Sequence, residues 1–182
     1  MTMISKSKEK NTILGYYLTN PEARHYINEV AEMFGMYPAN VNKRLKELEK
    51  DGILKSEFVG KERYFFLNKQ FPLLGPYKEI FQKTIGIEQI LLEIFLQKKQ
   101  SKEVYIFGSY ARNTMDAESD IDILVIGDFP ILELEKIAMT LRKRFGREFN
   151  FISMSEKEFK NKKVKKNPFI KQIFSDKIIK IK

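Results

Sequence analysis

Apolar residues recur at helical spacing through the first fifty positions, and the pattern then switches to the alternation of strands. Residues 11–19 form a short apolar stretch stopped by Asn20-Pro21, which predicts a first helix. Ile27, Val30, Ala31 and Phe34 share one face of a second helix from Tyr26 to Phe34, with Gly35 suited to its C-cap. Pro38 opens a third helix at a favoured early position, and its stripe of Val41, Leu45 and Leu48 runs to Asp51-Gly52. Residues 53–59 and 63–67 are then β-prone and are joined by Gly60-Lys61-Glu62, so they predict a hairpin with a basic tip.

Beyond Pro72 the pattern predicts a linker helix over 73–85. A second amphipathic helix over 86–98 has Ile87, Ile90, Leu91, Ile94 and Phe95 on one face. Val104 to Phe107 suits a buried strand, and Asp120 to Ile126 a strand that alternates at its start. A helix over 132–145 turns Leu134, Ile137, Leu141 and Phe145 inward. Ser155 caps a further helix. Phe169-Ile170 and Ile173-Phe174 point inward, and residues 178–181 read as a closing strand. The expected organisation is α/β (α+β) with a helix-turn-helix domain over 1–72, a linker helix over 73–85 and a second domain over 86–182.

Composition narrows the chemistry. The 182 residues contain no Cys and a single His, which excludes disulfide scaffolds, thiol nucleophiles and His-rich metal sites. His25, just before the second helix, is expected at the surface. No apolar run approaches the length of a membrane span, and residues 1–10 lack a secretory core, so the expected compartment is the cytoplasm, with no membrane partner. The net charge of +9 is unevenly spread. Residues 101–150 hold 7 basic and 9 acidic side chains, whereas residues 151–182 hold 10 and 3. An acidic pocket in a basic protein suits a cation that bridges carboxylates to a phosphate. Arg142, Lys143, Arg144, Arg147 and the Lys-rich stretch 161–166 are expected as solvated charge.

Two helices joined by a short turn, the second polar and basic outside, followed by a hairpin, form a helix-turn-helix with a wing. The string from Leu45 to Asn68 resembles winged helices of the arsenic-repressor or multiple-antibiotic-resistance type. The resemblance implies contacts to double-stranded DNA from Asn40, Asn42, Lys43, Arg44 and Lys46. It also implies phosphate contacts from Lys61 and Arg63, and a homodimer reading paired half-sites.

In the second domain a strand ends in Gly108-Ser109, where a glycine lets backbone approach a phosphate closely. Asp120 and Asp122 are two residues apart on the next strand, so both point to one side. Two carboxylates so placed cannot both face an apolar core, and together they can hold Mg²⁺ or Mn²⁺. The segment GSYARNTMDAESDIDILVIGD resembles the signature of the minimal nucleotidyltransferases of the DNA polymerase beta-like superfamily, over about residues 86–182. That resemblance implies a mixed sheet flanked by helices and transfer of a nucleoside monophosphate from an NTP, with ATP the expected donor. Gly108 and Ser109 would hold phosphates, Asp120 and Asp122 the metal, and Arg112 either phosphates or the local helix.

Two positions depart from that pattern. Asn113 replaces a glycine and must tolerate a left-handed backbone. Asn150 stands where a third carboxylate is expected, with Glu148 two residues earlier as the substitute. Since Asn cannot take a proton, the alternatives stay open: an active transferase acting on a hydroxyl, a transcriptional regulator with a nucleotide-sensing domain, or an antitoxin-like partner of a second protein.

Overall fold

The computed structural model describes residues 7–116 and 118–182, and the chain divides into two compact units. The first comprises residues 1–86 with 143–146, the second residues 87–142 with 147–182.

In the first unit, α1 (Lys8–Thr19) begins three residues earlier than the apolar stretch, because Ser7 Oγ accepts the Lys10 N–H and caps it. The second helix, α2 (Ile27–Phe34), ends at Gly35 in the left-handed region, and α3 (Pro38–Lys50) carries Pro38 in its first turn. Strands β2 (Leu54–Val59) and β3 (Glu62–Leu67) form the hairpin. A third strand, β1 (Arg24–Tyr26), pairs antiparallel with β3, giving the order β1-β3-β2. Val30, Val41, Leu45, Leu48 and Phe65 are buried together with Ile13, Leu14 and Tyr17 of α1. Tyr77 and Phe81 of α4 (Leu74–Thr84) enter the same core.

Contrary to expectation, His25 is half-buried. Its Nε2 lies 2.8 Å from Tyr16 Oη and its Nδ1 3.2 Å from Glu29 Oε2, so it ties β1 to both α1 and α2. The Glu29 carboxylate also accepts the Tyr26 N–H at 3.0 Å.

The second unit is built on a mixed four-stranded sheet in the order β6-β5-β4-β7. Its strands are β4 (Ser101–Phe107), β5 (Ile121–Gly127), β6 (Phe149–Met154) and β7 (Ile179–Lys180). Strand β4 runs antiparallel to β5 and β7, and β5 runs parallel to β6. Alternation divides the side chains between two faces. Ile106, Ile123 and Phe151 lie on one, where Phe151 meets Phe95 of α5 (Ile87–Leu96) at 6.2 Å between ring centroids. An ion pair between Lys98 and Glu133 joins the end of α5 to α7 (Ile131–Phe145), whose Leu134 and Leu141 are buried.

Tyr105, Leu124, Ile126 and Met154 lie on the other face. They pack against Phe159 of α8 (Glu156–Val164) and Ile170 and Ile173 of α9 (Pro168–Ser175). Lys182 Nζ donates to the carbonyls of Phe95 and Lys98 at 2.7 and 3.0 Å, placing a cation at the C-terminal end of α5.

Phe95 is fully buried between Phe129 and Phe151. Phe95→Ala leaves a cavity under the sheet and is expected to cost about 3–5 kcal/mol in urea denaturation.

Candidate functional site

The short helix α6 (Gly108–Arg112) leaves directly from the end of β4, with no intervening loop. Phe107, the last residue of β4, stands opposite Asp122 in the antiparallel ladder, and Asp122 stands beside Asn150 in the parallel one. Phe107, Asp122 and Asn150 therefore form one row across the end of the sheet, on the face that α8 and α9 cover further along. The same row logic makes the side chains behind Asp122, at Leu124 and Ile126, part of the core.

Gly108 has φ of +72°, and a Cβ added there would lie 2.5 Å from Asp122 Oδ2. The carboxylate thus occupies the space that any other residue's side chain would need. Only glycine satisfies both the left-handed backbone and this approach. On the far side of α6, Asn113 adopts φ of 61° as the C-cap, and its N–H reaches the carbonyls of Ser109 and Tyr110. The exchange of Gly for Asn is accommodated there, as Asn's tolerance of this region allows.

Asp122 is held above the ordinary carboxylate range, first by burial and further by Asp120. A hydrogen bond from Asn150 Nδ2 to Asp122 Oδ1, at 3.2 Å, and the charge of Arg112 oppose this shift. Asp120 precedes β5 and is exposed. Among the described residues no group of three or more His, Asp or Glu side chains gathers where it can hold a metal ion. Asp120, Asp122 and the amide of Asn150 are the oxygen donors at this edge. A half-buried carboxylate flanked by an amide and a second carboxylate, with the Arg112 charge acting on it as well, offers oxygen donors of the kind a hard divalent cation takes.

Other predicted residues are committed elsewhere. Arg112 Nη1 donates to Asp176 Oδ2 at 2.6 Å and pins α6 to the C-cap of α9. Glu148 pairs with Arg142 at 2.8 Å, while its carbonyl accepts the N–H of Ile121. Arg147, expected as solvated charge, is instead 5% exposed and donates to the carbonyl of Ser119 at 3.2 Å. It braces the turn before β5, where Asp116 Oδ1 accepts from Ser119 Oγ and from the N–H of Glu118.

On the first unit, Lys43 and Lys46 are exposed along α3, and Lys61 is exposed at the hairpin tip. Asn40 Nδ2 donates to Glu9 at 2.9 Å, and Arg44 lies between Glu9 and Glu47 at 3.3 and 3.0 Å. Asn42 has its Oδ1 buried. Arg63 makes a two-pronged bond to Glu49 at 2.8 and 2.9 Å and another to Ser56 Oγ at 2.8 Å. Its guanidinium fastens the wing to α3.

Residues 88–181 match the nucleotidyltransferase domain family, and residues 17–55 match the winged helix-turn-helix DNA-binding family. Over 63 residues the chain is 41% identical to a candidate protein adenylyltransferase of Methanocaldococcus jannaschii. That alignment takes in 35% of this chain and 62% of the relative, so less than two thirds of the relative's length is spanned. A solved candidate nucleotidyltransferase of Sulfolobus solfataricus aligns at 30% identity over 41% of this chain and 68% of its own, with a TM-score of 0.27. A mutant of Lactococcus lactis ZitR aligns at 16% identity over 76% and 72%, with a TM-score of 0.40.

The Arg112–Asp176 pair has a titration signature. Hydrogen bonding from Arg112 and from the Lys177 N–H holds Asp176 below the ordinary carboxylate range. A depressed folded-state value contributes stability above the unfolded value of about 3.9, and that contribution is lost as the pH falls through the folded one. In an NMR titration Arg112→Ala is expected to move the Asp176 midpoint upward, towards the ordinary value.

Proposed function

Because this chain belongs to the nucleotidyltransferase domain family, we propose that it transfers a nucleoside monophosphate from an NTP to a hydroxyl acceptor and also binds double-stranded DNA. The observation that carries the first half is the approach of Asp122 Oδ2 to the glycine at the start of α6. It brings a carboxylate and a side-chain-free backbone corner close enough to serve one metal-bound triphosphate. Asp120 and Asp122 would hold the divalent cation, and Gly108 and Ser109 the phosphates. When bound, such a cation neutralises phosphate charge and orients the phosphates for in-line attack.

In the transfer the acceptor oxygen attacks the α-phosphorus, the bond to the β-phosphate oxygen breaks, and pyrophosphate leaves. The acceptor's proton has no carboxylate to receive it at position 150, and Glu148 is engaged with Arg142. The proton therefore passes to water, and the step is slow. The hydrogen bond from Asn150 to Asp122 favours a second reading, in which the domain mainly holds nucleotide and reports its presence. The relative described as a candidate protein adenylyltransferase supports ATP as donor and a protein hydroxyl as acceptor.

Calorimetry of MgATP and MgGTP into the wild type is expected to give binding that Asp120→Asn/Asp122→Asn abolishes. Absence of binding by the folded wild type overturns the nucleotide reading. With α-labelled NTP, Asn150→Asp is expected to raise transfer by about 10²-fold, the scale of a positioned base. Equal rates in wild type and variant refute the assignment of position 150.

On the first unit, exposed Lys43, Lys46 and Lys61 supply the phosphate contacts, while Arg44 and Arg63 shape the surface from within. A homodimer presents two such surfaces to paired half-sites. Lys43→Ala/Lys46→Ala is expected to weaken DNA binding and to lower the slope of log affinity against log salt by about 1 per lysine. Fluorescence anisotropy across a salt series measures both.

A further inference from the structure

We propose that the ring of Phe169 is the platform for the base of the nucleotide whose phosphates lie at Gly108 and Ser109. The proposal rests on the nucleotide reading above and adds the subsite for the base. Phe169 is 38% exposed, although its neighbours on α9, Ile170 and Ile173, are 3% and 4% exposed. The ring is covered on one side by Phe107, which packs against the core of this unit, and is open on the other.

Its position follows from the row at the end of the sheet. The ring of Phe169 meets that of Phe107 edge-to-face, with centroids 6.5 Å apart and planes at 88°. Phe107 is the residue immediately before Gly108 and stands opposite Asp122, with backbones about 5 Å apart. From the metal-binding carboxylate to the open ring is thus one strand spacing and one ring contact, on a single face of the sheet.

The ring is also held in place. Asn167 Oδ1 accepts the N–H groups of Phe169 and Ile170 at 3.1 and 3.4 Å, which fixes the first turn of α9. At the other end, Asp176 is bonded to Arg112 of α6. Helix α9 is therefore tied at its C-terminal end to the helix that starts with the phosphate corner, and at its first turn to the strand before it. A ring fixed in this way loses little freedom when a base stacks on it. Stacking on one aromatic face tolerates any base, so the subsite takes the planar ring of a purine or pyrimidine without demanding one.

The test compares two ligands that share a polyphosphate and differ in the base: MgATP and magnesium tripolyphosphate, each titrated calorimetrically into the full chain. Phe169→Ala and Phe169→Leu are expected to weaken MgATP about tenfold while leaving tripolyphosphate unchanged, and Phe169→Tyr to restore wild-type affinity. Leu keeps bulk against Phe107, so a loss seen with both variants belongs to the ring. An equal loss for both ligands assigns Phe169 a structural role and overturns the proposal, as does unchanged MgATP binding. Failure of the folded wild type to bind either ligand overturns the nucleotide reading itself, and this proposal with it.

Discussion

The candidate site depends on one close approach: the Asp122 carboxylate resting where a side chain on residue 108 would be. Antiparallel pairing of β4 with β5 creates it, since opposite residues in such a ladder point the same way. The buried row behind it, Tyr105, Leu124 and Ile126, anchors the pair in the core. The glycine corner and the carboxylate are consequently one feature. A one-residue slip of β5 would send the Asp122 side chain to the opposite face of the sheet, and a slip of β4 would carry Gly108 out of its reach.

Charge around that corner is arranged by diversion. The guanidinium of Arg112, which neutralises Asp122 only from a distance, is bonded to Asp176. Asn150 contributes a neutral donor where a third negative charge is expected. The result is a half-buried carboxylate held above the ordinary carboxylate range, with an amide beside it where a third acid is expected. The winged unit divides its cations in a similar way. Arg44 bonds Glu9 of α1 as well as Glu47 of its own helix, and Arg63 bonds Glu49, so both hold elements together, whereas Lys43, Lys46 and Lys61 project into solvent. Forked geometry suits Arg to fixed carboxylates, and a flexible ammonium suits Lys to a phosphate backbone.

Sequence alone determined what short-range chemistry controls. Periodicity and caps act within a turn or two of chain, so the helices around Val30, Leu45 and Leu141, the stop at Gly35 and the cap at Ser155 were all legible. The position of Asp122 on β5 was legible too, whereas Asp120 lies one residue before the strand, outside its alternation. Strand β1 was not legible, since three residues are too few to display alternation and its pairing partner lies some forty residues further on. Tertiary structure alone decided that Arg147 is buried under the Ser119 carbonyl, that His25 joins Tyr16 and Glu29, and that Arg112 meets Asp176 from sixty-four residues away. It also decided that Asn150 bonds to Asp122 and that Phe169 stays open beside Phe107. The physical reason is the same in each case. These contacts are set by which strands pair, in what register, and which helix covers which face, and no local pattern encodes such long-range choices.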